Sequence, residues 1–364
     1  MTDSFDAIIL GAGGAGLLCA ATAGQRGRRV LVVDHSGEPG RKILISGGGR
    51  CNFTNLHTAP DRYISANRHF MKSALSRYGP QDFLALVERH GIAWHEKTLG
   101  QLFCDGSARQ IVEMLMSECV EGHVVFRFGA PVDDVRQADG RYHLRIGGEE
   151  VSAPRLVIAT GGPSIPKLGA TDFAYRLARQ FGMKVVEPRP ALVPLTLGGE
   201  DVLFRELSGV SAPVIAQCDK MHFAEAALFT HRGLSGPAIL QISSYWRHGM
   251  SVGIDFLPGA QADWLSQAKR ERPRATLRST LGVHLPDRLA EALAVRIGLA
   301  GELGNLTDKA LAAAAQRLRD WRFTPNGTEG FAKAEVTAGG ISTAELSSQT
   351  MESTRVPGLH VIGE

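Results

Sequence analysis

The stretch spanning residues 6–34 constrains this chain more than any other. An apolar run, "DAIIL", leads directly into Gly11-Ala12-Gly13-Gly14-Ala15-Gly16. "LLCAATAGQRG" follows, with helical composition and a stop at Gly27, and then "RRVLVVDH", which carries Asp34 near its end. Strand, GxGxxG, helix, strand and acid in this order predict a βαβ dinucleotide-binding unit. Gly11 allows the tight turn, Gly13 lets backbone approach a pyrophosphate, and Gly16 lets helix and strand pack closely. The phosphates would lie at the helix N-terminus, where free N–H groups and the helix dipole favour negative charge. Asp34 would accept hydrogen bonds from a ribose diol.

Three further stretches favour FAD over a nicotinamide dinucleotide. In "RKILISGGGRCNFTN", Arg41 and Lys42 can offset pyrophosphate charge, while Ser46, Gly47, Gly48 and Gly49 form a bare stretch able to run beneath the cofactor. That leaves Cys51 and Asn52 near the reactive ring. "LVIATGG" is an apolar strand ending in Thr160-Gly161-Gly162, which resembles the turn of two-domain flavoproteins. "GLHVIGE" ends in Gly363-Glu364, where flavoproteins place a carboxylate on the ribityl chain. Val132 stands where such folds touch adenine through main chain. No second nucleotide fingerprint is visible, so NAD(P)H as electron donor would dock without a domain of its own.

A chain of 364 residues with 44% apolar content has ample material for two or three cores. Its 40 basic and 37 acidic residues leave a net charge of only +3, which neither demands nor forbids a nucleic-acid partner. The five cysteines are scattered and form no CxxC pair, so neither a disulfide framework nor a metal site is expected. The N-terminus lacks a basic leader region, and no segment has the length of a membrane span. The expectation is a reducing, cytoplasmic setting, in which the sequon at Asn326 goes unused. Oligomeric state cannot be read.

After Pro188, Pro190 and Pro194 the pattern changes to short strand candidates, "APVIAQC", "AALFTH" and "SVGIDFLP", followed by an alanine-rich helical stretch from about Gln261 to Trp321. The expected fold is α/β: a doubly wound, Rossmann-type FAD-binding domain with an inserted β-barrel domain and a helical outer subdomain. Residues 1–190 and 339–364 would form the first, residues 191–338 the insertion, and about 261–322 its helical part. "FTHRGLSGPAIL" has the composition of a tight loop, and offers His231 as a catalytic candidate and Arg232 for an anionic substrate. "KRERPR", residues 269–274, is a basic run that would meet phosphates on an RNA enzyme. Cys51 and Cys104 are candidate proton donors, since a thiol stays mostly protonated at neutral pH.

The motifs "GRKILISGGGRCNFTN", "HEKTLGQLFC", "ATGGPSIPKLGATDFAY", "LFTHRGLSGPAILQIS", "FTPNGTEG", "AEVTAGGI" and "GLHVIGE" together resemble the BaiN/RdsA-like FAD-dependent oxidoreductases along essentially the whole chain. The resemblance implies a glutathione-reductase-like FAD domain and reduction of an activated C=C bond by flavin hydride. One branch is associated with dihydrouridine in ribosomal RNA, another with bile-acid-like enones. It therefore implies ribosomal RNA or its precursor as a partner, with a small-molecule enone reductase and a non-catalytic flavin-binding protein as rivals. Similar sequences continue past the Gly-acid pair with a glycine-rich loop and a helix. A chain ending at Glu364 would lack those N–H donors and bind FAD more weakly.

Overall fold

The computed structural model describes residues 3–364, the side chain of Leu203 excepted. The chain divides into two compact units, the first reaching to Pro188 and including Gly339–Glu364, the second Arg189–Ala338. It leaves the first through the strand Val185–Ala191 and returns through Val336–Ile341.

The first unit is built on five parallel strands in the order Leu359–Val361, Arg155–Ile158, Ala7–Leu10, Val30–Asp34, Val125–Phe128. The three central strands are apolar at nearly every position because both sheet faces are covered. The period of two then sorts their side chains between two cores. Ile8, Leu10, Leu31, Val33, Leu156 and Ile158 point into one. Ile9, Val30, Val32 and Val157 point into the other, against the helices Gly14–Gln25 and Arg109–Glu121. A four-stranded sheet supplies Tyr142, Leu144, Val151 and Ala153 to the first core. From strand Ala7–Leu10 the chain moves to one neighbour, and it later fills the other side with Arg155–Ile158. Their carboxyl ends therefore form a topological switch point, the place where open α/β sheets bind ligands.

The second unit carries a seven-stranded antiparallel sheet and, between the strands Val252–Asp255 and Trp321–Phe323, the helices Trp264–Glu271, Leu277–Leu281, Asp287–Ile297 and Asp308–Arg319. The composition suggested a small barrel; the ladder is that of a sheet with Trp321–Phe323 and Gly327–Thr328 as its outermost strands. Phe204, Phe229, Phe256, Trp321 and Phe323 pack as a buried aromatic cluster, the closest ring centroids lying 4.9 Å apart. Two expectations are corrected here. The helical stretch stops at Arg319 rather than Trp321, because Trp321 pairs with Ile254 and points into that cluster. The segment around His231 is not one loop: Gly233–Ser235 is a strand and Pro237–Ser243 a helix. Only the hairpin tip between Thr230 and Gly233, joined by N–H···O bonds of 2.7 and 3.2 Å, remains a turn. No helix of the described residues is long and apolar enough to cross a membrane.

What positions the glycine-rich helix is its fit against Arg109–Glu121. A Cβ on Gly24 would strike the Gly122 carbonyl, so the two helices approach at bare backbone. Beside this contact the buried Glu118 carboxylate accepts hydrogen bonds from Gln25 Nε2 (2.9 Å) and Arg89 Nη2 (2.8 Å), with His90 Nε2 at 2.7 Å. Burial opposes its ionisation, but these hydrogen bonds and the Arg89 charge outweigh that and hold the carboxyl down at about 2. A depressed carboxylate stabilises the fold above its unfolded value of about 4.3, and that contribution is lost as pH falls through the folded value. Glu118→Gln should therefore melt well below wild type at neutral pH, with the gap closing towards pH ~2 as predicted by linkage. A gap that does not change with pH in thermal melts would refute this account.

Candidate nucleotide and flavin site

At the switch point the backbone is bare because no side chain fits. Gly11 has φ +107°, and a Cβ there would lie 2.5 Å from the Ala159 carbonyl oxygen. A Cβ on Gly16 would collide with the Gly11 carbonyl. Gly13 differs: a Cβ would meet nothing within 4 Å, so the protein itself leaves that position open. Gly13 is the N-cap of the helix Gly14–Gln25 and offers no side-chain cap, and no acid stands in the first turn. Uncapped N–H groups facing open space suit an anion.

Asp34 closes the second strand as expected and is held rigidly. Its Oδ2 accepts from Ala12 N at 2.7 Å and its Oδ1 from Ser36 N at 2.8 Å. A carboxylate offers about four acceptor positions, so two remain for a diol. A cavity of about 220 Å³ opens beside it, lined by Gly11, Asp34, Val132, Thr160, Phe173 and Arg176 among others. Val132 and Thr160 thus share one cavity with the glycine turn. The Thr160 hydroxyl is buried and has no hydrogen-bond partner among the described residues, so a polar ligand group would satisfy it.

The stretch after Asp34 is more ordered than a loop. Arg41–Ile45 forms a short helix, and Ser46–Gly49 a tighter turn in which Gly47, Gly48 and Gly49 all take positive φ, +56°, +67° and +86°. Their reasons differ. At Gly47 a Cβ would lie 2.7 Å from the Phe103 ring and 2.9 Å from Asn52 N, whereas Gly48 and Gly49 face open space. The Gly49 carbonyl accepts from Ala108 N at 2.7 Å, which ties the turn to the helix behind it.

Lys42 links three distant segments. Its Nζ donates to Ser164 Oγ at 2.8 Å and stands 3.4 Å from Glu364 Oε1. The Glu364 carbonyl in turn accepts from Gly162 N at 3.0 Å, and a Cβ on Gly161 (φ +68°) would fall 2.6 Å from that same oxygen. Gly363 (φ +82°) passes the start of the first helix, where a Cβ would lie 3.2 Å from Ala15 Cβ. Tyr63 and Tyr175 border this cluster: burial first, and then the Glu364 charge, push both phenols upward. The glycine turn, the Thr160 turn and the terminal strand therefore converge. Ser164, Phe173, Tyr175 and Arg176 were not singled out by sequence. All lie in or just after "ATGGPSIPKLGATDFAY", whose length between glycine turn and helix was the available signal.

The thiols sit deeper than a proton donor's position suggested. Cys104 is 0% exposed, and burial, then the neighbouring Cys51 and Asp105, push it up to about 11. It belongs to the core shared with Cys51, Val87 and Ile111. Cys51 is 5% exposed, with left-handed backbone at φ +50°. Burial raises its pKa and a hydrogen bond with Ser46 partly offsets this. Asn52 beside it is exposed. His231 and Arg232 occupy an exposed hairpin tip of the second unit, where Arg232 Nη1 stands 3.8 Å from Glu329 Oε2. The carboxylate lessens the anion-binding capacity assigned to Arg232.

Residues 5–364 match the profile of the HI0933-like protein Rossmann domain. The chain is 52% identical over 372 residues to a ribosomal RNA dihydrouridine synthase of Escherichia coli, covering 100% of this chain and 92% of that protein. It is 46% identical over 373 residues to the Haemophilus influenzae protein of the same name, with the same coverage. A 3-dehydro-bile acid delta(4,6)-reductase of Clostridium scindens is 29% identical, over 98% of this chain and 91% of the relative.

The glycine turn yields a direct test. Gly48→Ala meets open space and should cost only left-handed strain, about 1–2 kcal/mol. Gly47→Ala adds the collision with Phe103 and should lower the melting temperature by several degrees more. Equal losses in parallel melts would contradict the packing described.

Proposed function

The chain belongs to the HI0933-like protein Rossmann domain family, and we propose that it is a FAD-dependent oxidoreductase that reduces the C5=C6 bond of a uridine in ribosomal RNA, with NAD(P)H as the electron source. The observation that carries the substrate is the 52% identity, over the whole of this chain and 92% of the relative, with a protein named ribosomal RNA dihydrouridine synthase. Overall, uridine, NAD(P)H and one proton become dihydrouridine and NAD(P)⁺.

The residues present fit FAD. The orphaned Thr160 hydroxyl, the open position at Gly13 and the free acceptors of Asp34 are each suited to a dinucleotide. Gly11, Gly13, Gly14, Ala15 and Gly16 would hold the pyrophosphate at the helix start, Asp34 a ribose, and Val132 the adenine edge. Arg41 and Lys42 would offset phosphate charge, while Ser46 and the three glycines leave room for the cofactor's length. Thr160, Gly161, Gly162, Gly363 and Glu364 would face its middle. When bound, FAD supplies the hydride chemistry, and the protein supplies position and a proton. Cys51 is the proposed donor of that proton to the uracil ring, with Asn52 beside it.

A small-molecule enone is the second reading, supported by the 29% identity to the bile-acid reductase. The tests separate the two. A deletion strain should lack dihydrouridine at one ribosomal RNA position, and an unchanged dihydrouridine content overturns the proposal. Enone-dependent NAD(P)H oxidation by purified protein that ignores RNA would favour the second reading.

Two variants probe the residues. Asp34→Ala should release flavin during gel filtration where wild type retains it. Cys51→Ala should keep its flavin but form product about 100-fold more slowly, the low end for loss of a general acid. Because a donor must be protonated and burial raises this thiol, the wild-type rate should fall only above the ordinary thiol value of about 8.5. Full activity in Cys51→Ala would remove it from the mechanism.

A further inference from the structure

The corner between the helices Trp264–Glu271 and Leu277–Leu281 gathers charge that the protein does not compensate. Residues 269–274 carry four cations, Lys269, Arg270, Arg272 and Arg274, against one acid, Glu271. The first helix buries Leu265 and Ala268, which turns Arg270 outward, and Arg272 and Arg274 follow on the exposed corner. Two of the neighbouring acids are already engaged by other cations. Lys269 Nζ takes Asp308 Oδ1 at 2.9 Å together with the Leu306 carbonyl at 2.8 Å. Arg278 Nη2 stands 3.3 Å from Glu291 Oε2. Among the described residues, no carboxylate comes within ion-pair distance of Arg270, Arg272 or Arg274.

The corner is also ordered. Arg272 N donates to Ala268 O at 2.8 Å, and Ala275 N to Arg272 O at 3.0 Å. From the facing turn, Gly304 N donates to Pro273 O and Leu303 N to Ala275 O, both at 2.8 Å. Pro273 fixes its own φ, and the cross-links fix the residues around it. Three exposed arginines within five residues thus project from a braced turn, a concentration of positive charge that complements a polyanion. Guanidinium forks match phosphate oxygens in pairs, and an evenly charged backbone can meet successive arginines.

We propose that Arg270, Arg272 and Arg274 form a contact surface for the phosphate backbone of the RNA substrate. This rests on the ribosomal RNA reading above. Each phosphate contact releases counterions, so the surface contributes a salt-dependent share of affinity that carries no sequence information.

The test is a fluorescence anisotropy titration with a labelled ribosomal RNA transcript, run from about 50 to 200 mM salt. Four proteins are compared: wild type, the triple variant R270Q/R272Q/R274Q, the triple Arg→Lys variant at the same positions, and R26Q/R28Q. Arg26 and Arg28 are exposed arginines of the first unit without a carboxylate partner among the described residues, and serve as the control. The Gln triple should bind at least about tenfold more weakly at low salt, its log–log salt slope shallower by about 2–3. The Lys triple should keep most of that slope, and the control should change less than about twofold by the same reasoning. A Gln triple with wild-type affinity and slope overturns the proposal while leaving the substrate reading intact. Equal loss in the Gln and Lys triples also overturns it, since charge would not be the cause. Wild type without salt-dependent affinity for the transcript, or binding anionic phosphatidylserine vesicles but not RNA, overturns the surface and the RNA reading together.

Discussion

The close approach at Gly11, Gly16 and Ala159 is the constraint on which the first unit depends. Two adjacent strands and the helix leaving one of them meet where a single added methyl group would overlap carbonyl oxygens. That approach lets the strand Arg155–Ile158 pair directly beside Ala7–Leu10, with Ala159 N continuing the ladder to Leu10 O at 2.8 Å. It also leaves the helix N-terminus open at the carboxyl edge of the sheet. A packing requirement and a binding requirement coincide there, so the glycine pattern is a strong sequence signal.

Around that fixed point the structure joins pieces far apart in the chain. Lys42, Ser164 and Glu364 are brought together by the three-way convergence of the glycine turn, the Thr160 turn and the last strand. The Lys42–Glu364 pair is exposed and contributes little stability by itself. Its importance is positional, since it joins the segment after Asp34 to the end of the last strand. Deeper in, the two thiols are partners in packing: Cys104 fills the core behind the turn, and Cys51 lies at its margin.

Much of the fold was legible because it is local. The βαβ unit and the short strands that open the second unit follow from short-range apolar runs and turn chemistry. Where sequence misled, a distant partner had overridden local preference. Trp321 continues a helical pattern, yet a strand partner at Ile254 and the rings of Phe204 and Phe256 draw it into the sheet. The residues after His231 have loop composition. Their glycines instead serve close approach, a Cβ on Gly233 or Gly236 meeting the backbone of residues 195–197 or 226–228. Arg176 and Phe173 border the cavity from a helix whose own pattern says only that one face is buried.

By itself, then, the sequence determined the nucleotide-binding unit, its acid and the order of the segments that return to it, because glycine spacing, apolar runs and turn residues act over a few positions. Tertiary structure alone decided which of three glycines is bare for packing and which two face open space, and that Cys104 is core. It also decided which arginines stand without acids. Each of these depends on what another part of the chain places within a few ångströms, and no local pattern encodes that.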